Sequence, residues 1–222
     1  MAGAPEIGIA RGRRLERWAA LGGILYVVLF VVGQVVSMNG QPDANDAPAK
    51  VIAFYSQSFH RDRIVLGWLI MLVGLVFLIV FLGVLADAVR RLAPEAFLAR
   101  IVVIGGAIYA GAGVIGSSLA TGIKTMSDDT YRHQVYPELI HAASDAGYVI
   151  HSGGGAGAAA MMVAASVAAL RARAVPAWAC WLGVVAGIVA IFSIFFIPWI
   201  VIALWLVIVS ALLFVAAGRA TA

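Results

Sequence analysis

The side chains that could do chemistry gather in two short stripes. His141, Asp145, Tyr148 and Ser152 follow one another at i, i+4, i+7 and i+11, which at about 100° per residue keeps them on one helix face. Ser144 and His151 lie on its edge. Ser117, Thr121, Lys124 and Asp128 align in the same way, by steps of four, three and four. Facing each other, the stripes would line a small polar cavity with Lys124 and Asp145 as its charge pair. Such a cavity suits a ligand site or a proton relay, because ionisable groups deep in apolar surroundings are costly and are kept for a reason. The competing reading is that Lys124, Asp128 and His141 are simply solvated. His151 stands apart as the one histidine inside an apolar run. It is either functional or bonded to a neighbouring hydroxyl or carbonyl, and the residues alone leave both open.

Other chemistries fit less well. Ser152 or Ser144 with His151 and Asp145 has the atoms of a hydrolase but no strand–turn–helix nucleophile elbow. His60, His141, Asp145 and His151 match a zinc site in number, yet His141 and His151 are ten residues apart and form no compact helical pair. Bis-histidine haem ligation needs two imidazoles on facing helices, and His60, His133 and His141 all fall outside the apolar runs. No cofactor and no metal site is therefore expected. Gly111-Ala-Gly113-Val-Ile-Gly116 matches the dinucleotide fingerprint in letters, but it lies within an apolar run rather than between a strand and a helix. Ser152-Gly153-Gly154-Gly155 lacks the Gly-Lys-Ser/Thr of a phosphate loop.

These stripes must be carried by apolar helices. Of 222 residues 63% are apolar and 12% charged, against about 45–50% and about 25% in soluble domains, and mean hydropathy is +1.01. A soluble globular enzyme, a disordered chain and a collagen-like fibre are excluded. The fold class expected is all-α, a polytopic integral membrane protein built as a six-transmembrane-helix bundle. Five spans are read at residues 19–38, 64–86, 101–122, 147–170 and 177–196. Residues 1–17 form a basic tail, and 18–218 a single domain. The first apolar stretch is too long for a signal-peptide core and lacks a small-x-small site at its end. It is read as an uncleaved span. Ala177–Ala217 runs 41 residues without a charge. As one helix it would measure about 60 Å, about twice a bilayer core, so it must fold back. Pro198 is the breaker near its middle, which predicts a turn at Phe196–Pro198 and a sixth span at 199–217.

The net charge of +4 is read as an orientation signal. It is not taken as a sign of nucleic acid, because the basic residues sit at the ends of apolar runs. Arg11, Arg13, Arg14, Arg17, Arg90, Arg91, Arg100, Arg171, Arg173 and Arg219 fall on one side. Lys50, Arg61, Arg63, Lys124 and Arg132 fall on the other. The positive-inside rule then puts both termini in the cytoplasm. The abundance of Arg over Lys, with Ala, Gly and Val, suits a GC-rich bacterial genome and hence a bacterial inner membrane. Trp18, Trp178, Trp181 and Trp199 sit near span ends, as an aromatic belt requires. The lone Cys180 forms no intrachain disulfide.

Small residues predict where helices touch. Gly153-x-x-x-Gly157, Gly183-x-x-x-Gly187 and the glycines at 105, 106, 111, 113 and 116 make spans 3 and 4 central, with spans 1, 2 and 6 against lipid. Val51, Ile52, Tyr55 and Phe59 mark one face of an interfacial helix leading into span 2. The fourth helix is expected to start near Pro137.

Phe54-Tyr55, Pro176-x-Trp178-x-x-Trp181-Leu182-Gly183 and Leu204-Trp205-Leu206-x-x-x-Ser210 together resemble a mainly actinobacterial family of small six-span membrane proteins of unassigned function. The likeness runs from about residue 18 to 217 and implies an all-helical membrane fold without a biochemical role. The function expected is non-catalytic. The chain would bind a lipid, a small apolar ligand or a partner membrane protein, another copy of itself included, at the outer leaflet. The candidate binding residues are His151, Asp145, Tyr148, Ser152, Lys124, Thr121, Ser117 and His141. The alternative is a membrane-embedded enzyme or transporter using His151 and Asp145.

Overall fold

In the computed structural model, residues 15–43, 45–93, 96–126 and 134–219 are described. Arg11, Arg13, Arg14, Asp128, Arg132 and His133 lie outside them. The described residues form helices and no strand: α1 (Gly22–Met38), α2 (Pro48–Tyr55), α3 (Ser58–Leu92), α4 (Ala96–Thr125), α5 (Pro137–Gly153), α6 (Gly155–Arg171), α7 (Ala177–Ala190) and α8 (Phe196–Arg219). Five helical stretches are long and apolar enough to cross a membrane. They are Leu15–Met38, Ser58–Leu92, Ala96–Thr125, Pro137–Arg171 and Phe196–Arg219, and α7 is a shorter apolar helix.

The fold-back of the last apolar run is present, but its turn is not at Phe196–Pro198. It occupies residues 191–195, and Pro198 lies in the first turn of α8. The physical reason is that proline's missing N–H costs nothing in a first turn, where no helical acceptor exists. Pro198 therefore starts a helix rather than stopping one. Side chains satisfy the turn's carbonyls instead. Ser193 Oγ donates to Ala190 O (2.6 Å), Trp199 Nε1 to Ser193 O (2.7 Å) and Tyr148 Oη to Ile194 O (2.7 Å).

Helices α5 and α6 form one nearly continuous rod, interrupted at Gly154 within a run of three glycines. There the Gly154 N–H bonds to His151 O at 3.0 Å in a tightened turn. Pro137 does open α5, in the first-turn position. The rod Pro137–Arg171 is the most buried of the long helices, and α3 is as buried as α4. Helix α3 also keeps an exposed apolar face at Leu66, Leu69, Val73, Val76, Ile79 and Val80. It lies between α1 and α4, and backbone approaches α1 closely where two glycines meet. A Cβ on Gly67 would stand 2.5 Å from Gly33 O, and one on Gly33 2.6 Å from Gly67 O.

Two more such contacts join α4 to the α5–α6 rod. A Cβ on either Gly105 or Gly157 would stand 2.5 Å from the other's carbonyl oxygen, and Gly116 and Gly147 exclude each other's Cβ in the same way. Gly153 and Gly111, by contrast, face open space. Gly153-x-x-x-Gly157 is therefore not one interface, because the tightened turn at Gly154 breaks its register. Deep between α1 and α4 the buried hydroxyls of Tyr26 and Tyr109 pair at 3.1 Å.

The described ends of the chain share one side of the bundle. Glu16 pairs with Arg91 at 3.3 Å, and the Arg17 guanidinium lies 4.4 Å over the Phe214 ring. The opposite end carries α2. Here Val51, Phe54 and Tyr55 pack with Ile64 and Ile140 in a small separate core. Ile52 and Phe59 are exposed, contrary to the single face read from sequence. The helix breaks at Ser56–Gln57, so Phe59 belongs to α3 and the register of α2 does not carry over to it. Buried Arg61 donates to Tyr55 O at 2.9 Å and holds that break.

Candidate functional site

At the α2 end, a partly open cavity of about 200 Å³ lies among α1, α3, α4 and α5. Three polar stripes converge on it. Helix α4 contributes Ser117, Thr121 and Lys124, and α5 contributes Tyr148 and His151. Helix α1 and the residues after it contribute Gln34, Ser37 and Gln41. Phe30, Met38, Ile64 and Met71 supply apolar wall, and Gly116 and Gly147 let α4 and α5 close on one side.

Gln41 organises the polar rim. Its Oε1 accepts from Lys124 Nζ at 3.0 Å and from Tyr55 Oη at 3.1 Å, while its Nε2 donates to Ser37 O at 2.7 Å. The amide thus joins α1, α2 and α4 at one point. Burial pushes the Tyr55 phenol up to about 12, so it stays a donor at any physiological pH. Lys124 does not pair with Asp145 among the described residues.

His151 sits at the inner limit of the cavity. Its ring meets Trp199 edge-on at 4.2 Å and Phe30 edge-on at 5.7 Å, while Phe30 and Trp199 are nearly parallel at 6.4 Å. This trio of rings ties α1, α5 and α8 together. Trp199 is half-buried and packs against His151 and Phe30. Trp18, Trp178 and Trp181 are exposed. Among the described residues His151 makes no hydrogen bond to a neighbouring hydroxyl or carbonyl, and packing against aromatic rings takes its place.

Of the eight candidate residues, His151, Tyr148, Lys124, Thr121 and Ser117 are brought together. Asp145, Ser152 and His141 do not line the cavity. Asp145 is exposed, and Ser152 is buried elsewhere with its Oγ unpartnered. At about 100° per residue, His141, Ser152 and Asp145 lie about 80°, about 100° and about 120° around α5 from His151. The face that meets the cavity is centred on His151, so the stripe read on that helix is rotated away from it. The described members of the α4 stripe, Ser117, Thr121 and Lys124, line the cavity.

The α1 stripe was missed. Its signal is Gln34, Ser37 and Gln41 at i, i+3 and i+7, a polar line on a helix that is otherwise apolar at that end. Among the described residues no group of three or more His, Cys, Asp or Glu comes together to hold a metal ion. Comparison with protein-family models, curated sequences and solved structures returns no match.

Proposed function

We propose that the protein is a non-catalytic integral membrane protein of a bacterial inner membrane that binds a small amphiphilic or apolar ligand at the outer leaflet. The observation that carries this reading is the convergence of three polar stripes on one partly open cavity with apolar walls. Ligand sites in helix bundles have this make-up, apolar with a few convergent polar groups. In the same proposal α7 is the sixth span. Its 14 residues cover about 21 Å, and the turn at 191–195 carries the chain toward the remaining depth of a core of about 30 Å. The contact of Arg17 with Phe214 supports an even number of crossings, since it puts both described ends on one side. Arg17, Arg90, Arg91, Arg171, Arg173 and Arg219 on that side support a cytoplasmic location for it.

The catalytic or transporting alternative requires His151 and Asp145 to act together. Asp145 is exposed on another face of α5, which favours binding over that reading. The test is native mass spectrometry of the protein released from its own membrane, comparing the natural chain with Thr121→Phe, which fills the cavity, and Thr121→Val, which does not. A co-purifying small molecule lost in Thr121→Phe and kept in Thr121→Val is expected. Equal occupancy in all three proteins would sink the proposal.

A further inference from the structure

We infer that the cavity receives the anionic headgroup of an amphiphile, a carboxylate or a phosphate, with Lys124 as the cation that meets it. The inference rests on the ligand-binding reading above and adds the charge of the ligand.

Lys124 carries the argument. Its ammonium has three donors, and Gln41 Oε1 takes one of them at 3.0 Å. No carboxylate pairs with it among the described residues, and none lines the cavity. The described acids of this end are directed elsewhere. Asp46 is held by Lys50 at 2.6 Å and by the Asp43 N–H, while Asp43, Asp62, Glu138 and Asp145 are exposed. A cation drawn into a partly enclosed site with no carboxylate beside it among the described residues is suited to an anionic ligand. The neighbouring groups suit an anion's oxygens. Thr121 and Ser117 lie on the same face of α4, and Ser37 and Gln34 stand across the cavity on α1. Every side chain in the lining is neutral, a donor or cationic.

The apolar half of such a ligand also has a place. Helix α1 packs on α3, α3 on α4, and α4 on α5. Between α1 and α5 the ring is bridged at the level of His151 by Phe30 and Trp199. Neither α7 nor α8 contributes to the cavity lining. The α7–α8 turn stops level with Tyr148, whose hydroxyl it accepts at Ile194 O. Helix α5 runs on for another 11 residues to Pro137, about 16 Å further. At this end α2 packs on Ile64 and Ile140, and the cavity stays partly open. The turn, held to Tyr148 at Ile194 O, and the first residue of α8 present exposed Phe192, Phe195 and Phe196. An acyl chain leaving the cavity would lie on these rings.

The test is native mass spectrometry from detergent micelles with added oleate, phosphatidylglycerol or neutral monoolein, on the natural chain and on Lys124→Met, Lys124→Arg and Thr121→Phe. The expected result is an adduct with oleate or phosphatidylglycerol at least tenfold above that with monoolein. Lys124→Met should reduce it by tenfold or more, Lys124→Arg should keep it, and Thr121→Phe should abolish it. Preference for oleate assigns a single-chain carboxylate, and preference for phosphatidylglycerol assigns a phosphate headgroup. Anion adducts unchanged in Lys124→Met, or monoolein bound as well as the anions, overturn the charge assignment while leaving the cavity as a binding site. Adducts of all three probes that persist in Thr121→Phe overturn the binding reading itself.

Discussion

Lys124 and Gln41 stand 83 residues apart in the chain and meet at 3.0 Å, side chain to side chain, at the rim of a cavity that polar residues from three parts of the chain line. The same amide oxygen accepts the Tyr55 hydroxyl at 3.1 Å. Gln41→Leu keeps the size of the side chain and removes both the acceptor that Lys124 and Tyr55 share and the donor to Ser37 O. We expect a loss of about 1–3 kcal/mol, read as a lower midpoint of thermal unfolding by circular dichroism in a fixed detergent. Gln41→Glu should keep the midpoint near that of the natural chain, because it restores an acceptor. An unchanged midpoint in Gln41→Leu would show that the junction is not structural.

Glycine substitutions should separate close approach from mere composition. Gly116→Ala and Gly105→Ala place a methyl group against the backbone of Gly147 and Gly157. Both should lower the unfolding midpoint, since helix association in a membrane depends on such approach. Gly111→Ala and Gly153→Ala have open space around them and should leave the midpoint unchanged or raise it through better helix propensity, worth at most about 1 kcal/mol. The four variants compared in one detergent make the measurement, and a common effect on all four would reject the assignment of the contacts.

The α7–α8 hairpin offers a sharper contrast. Pro198→Ala should change stability by less than about 0.5 kcal/mol, because proline in a first turn gives up no helical hydrogen bond. Tyr148→Phe removes the hydroxyl that Ile194 O accepts and should cost about 1 kcal/mol. Were Pro198 the turn itself, the order of the two effects would reverse.

The apolar runs and the Lys124 stripe were legible in the sequence because each depends on a local property, hydropathy or a helical period. On α4, Ser117, Thr121 and Lys124 line the cavity, while Ser118 and Thr125 at the same end do not. On α5 the same reasoning failed. His141, Asp145 and Ser152 form the more polar line, yet the glycine contact at Gly116 and Gly147 fixes how α5 is turned, and it turns His151 inward. Rotation of a helix about its axis is set by partners far away in the chain, which no periodicity reveals. The Gln34–Ser37–Gln41 stripe was local and readable, but its meaning depends on α4 and α5 standing opposite. The turn was misplaced for a different reason. Proline has two roles in a helix, breaker inside and starter at the first turn, and only the hydrogen bonds of Ser193, Trp199 and Tyr148 decide between them.

The proposed topology yields the last prediction. In a Cys180→Ala background, Asn39→Cys lies just beyond α1 at the cavity end, and Ala174→Cys lies in the connection between α6 and α7. Both backbone sites are exposed. With the Arg-rich side in the cytoplasm, a membrane-impermeant maleimide added to intact cells should label Asn39→Cys and spare Ala174→Cys. Permeabilised cells should label both. Labelling of Ala174→Cys alone in intact cells would invert the orientation and move the cavity to the inner leaflet. Labelling of both would put the α6–α7 connection on the same side as Asn39, so that α3, α4 and the α5–α6 rod would make two crossings rather than three. The two outcomes act on different parts of the argument. Inversion leaves the contact of Lys124 with Gln41 and the ligand chemistry intact, since neither depends on which leaflet supplies the ligand. A lost crossing among α3, α4 and the α5–α6 rod takes apart the helices that line the cavity, and with them the site in which the ligand is proposed to bind.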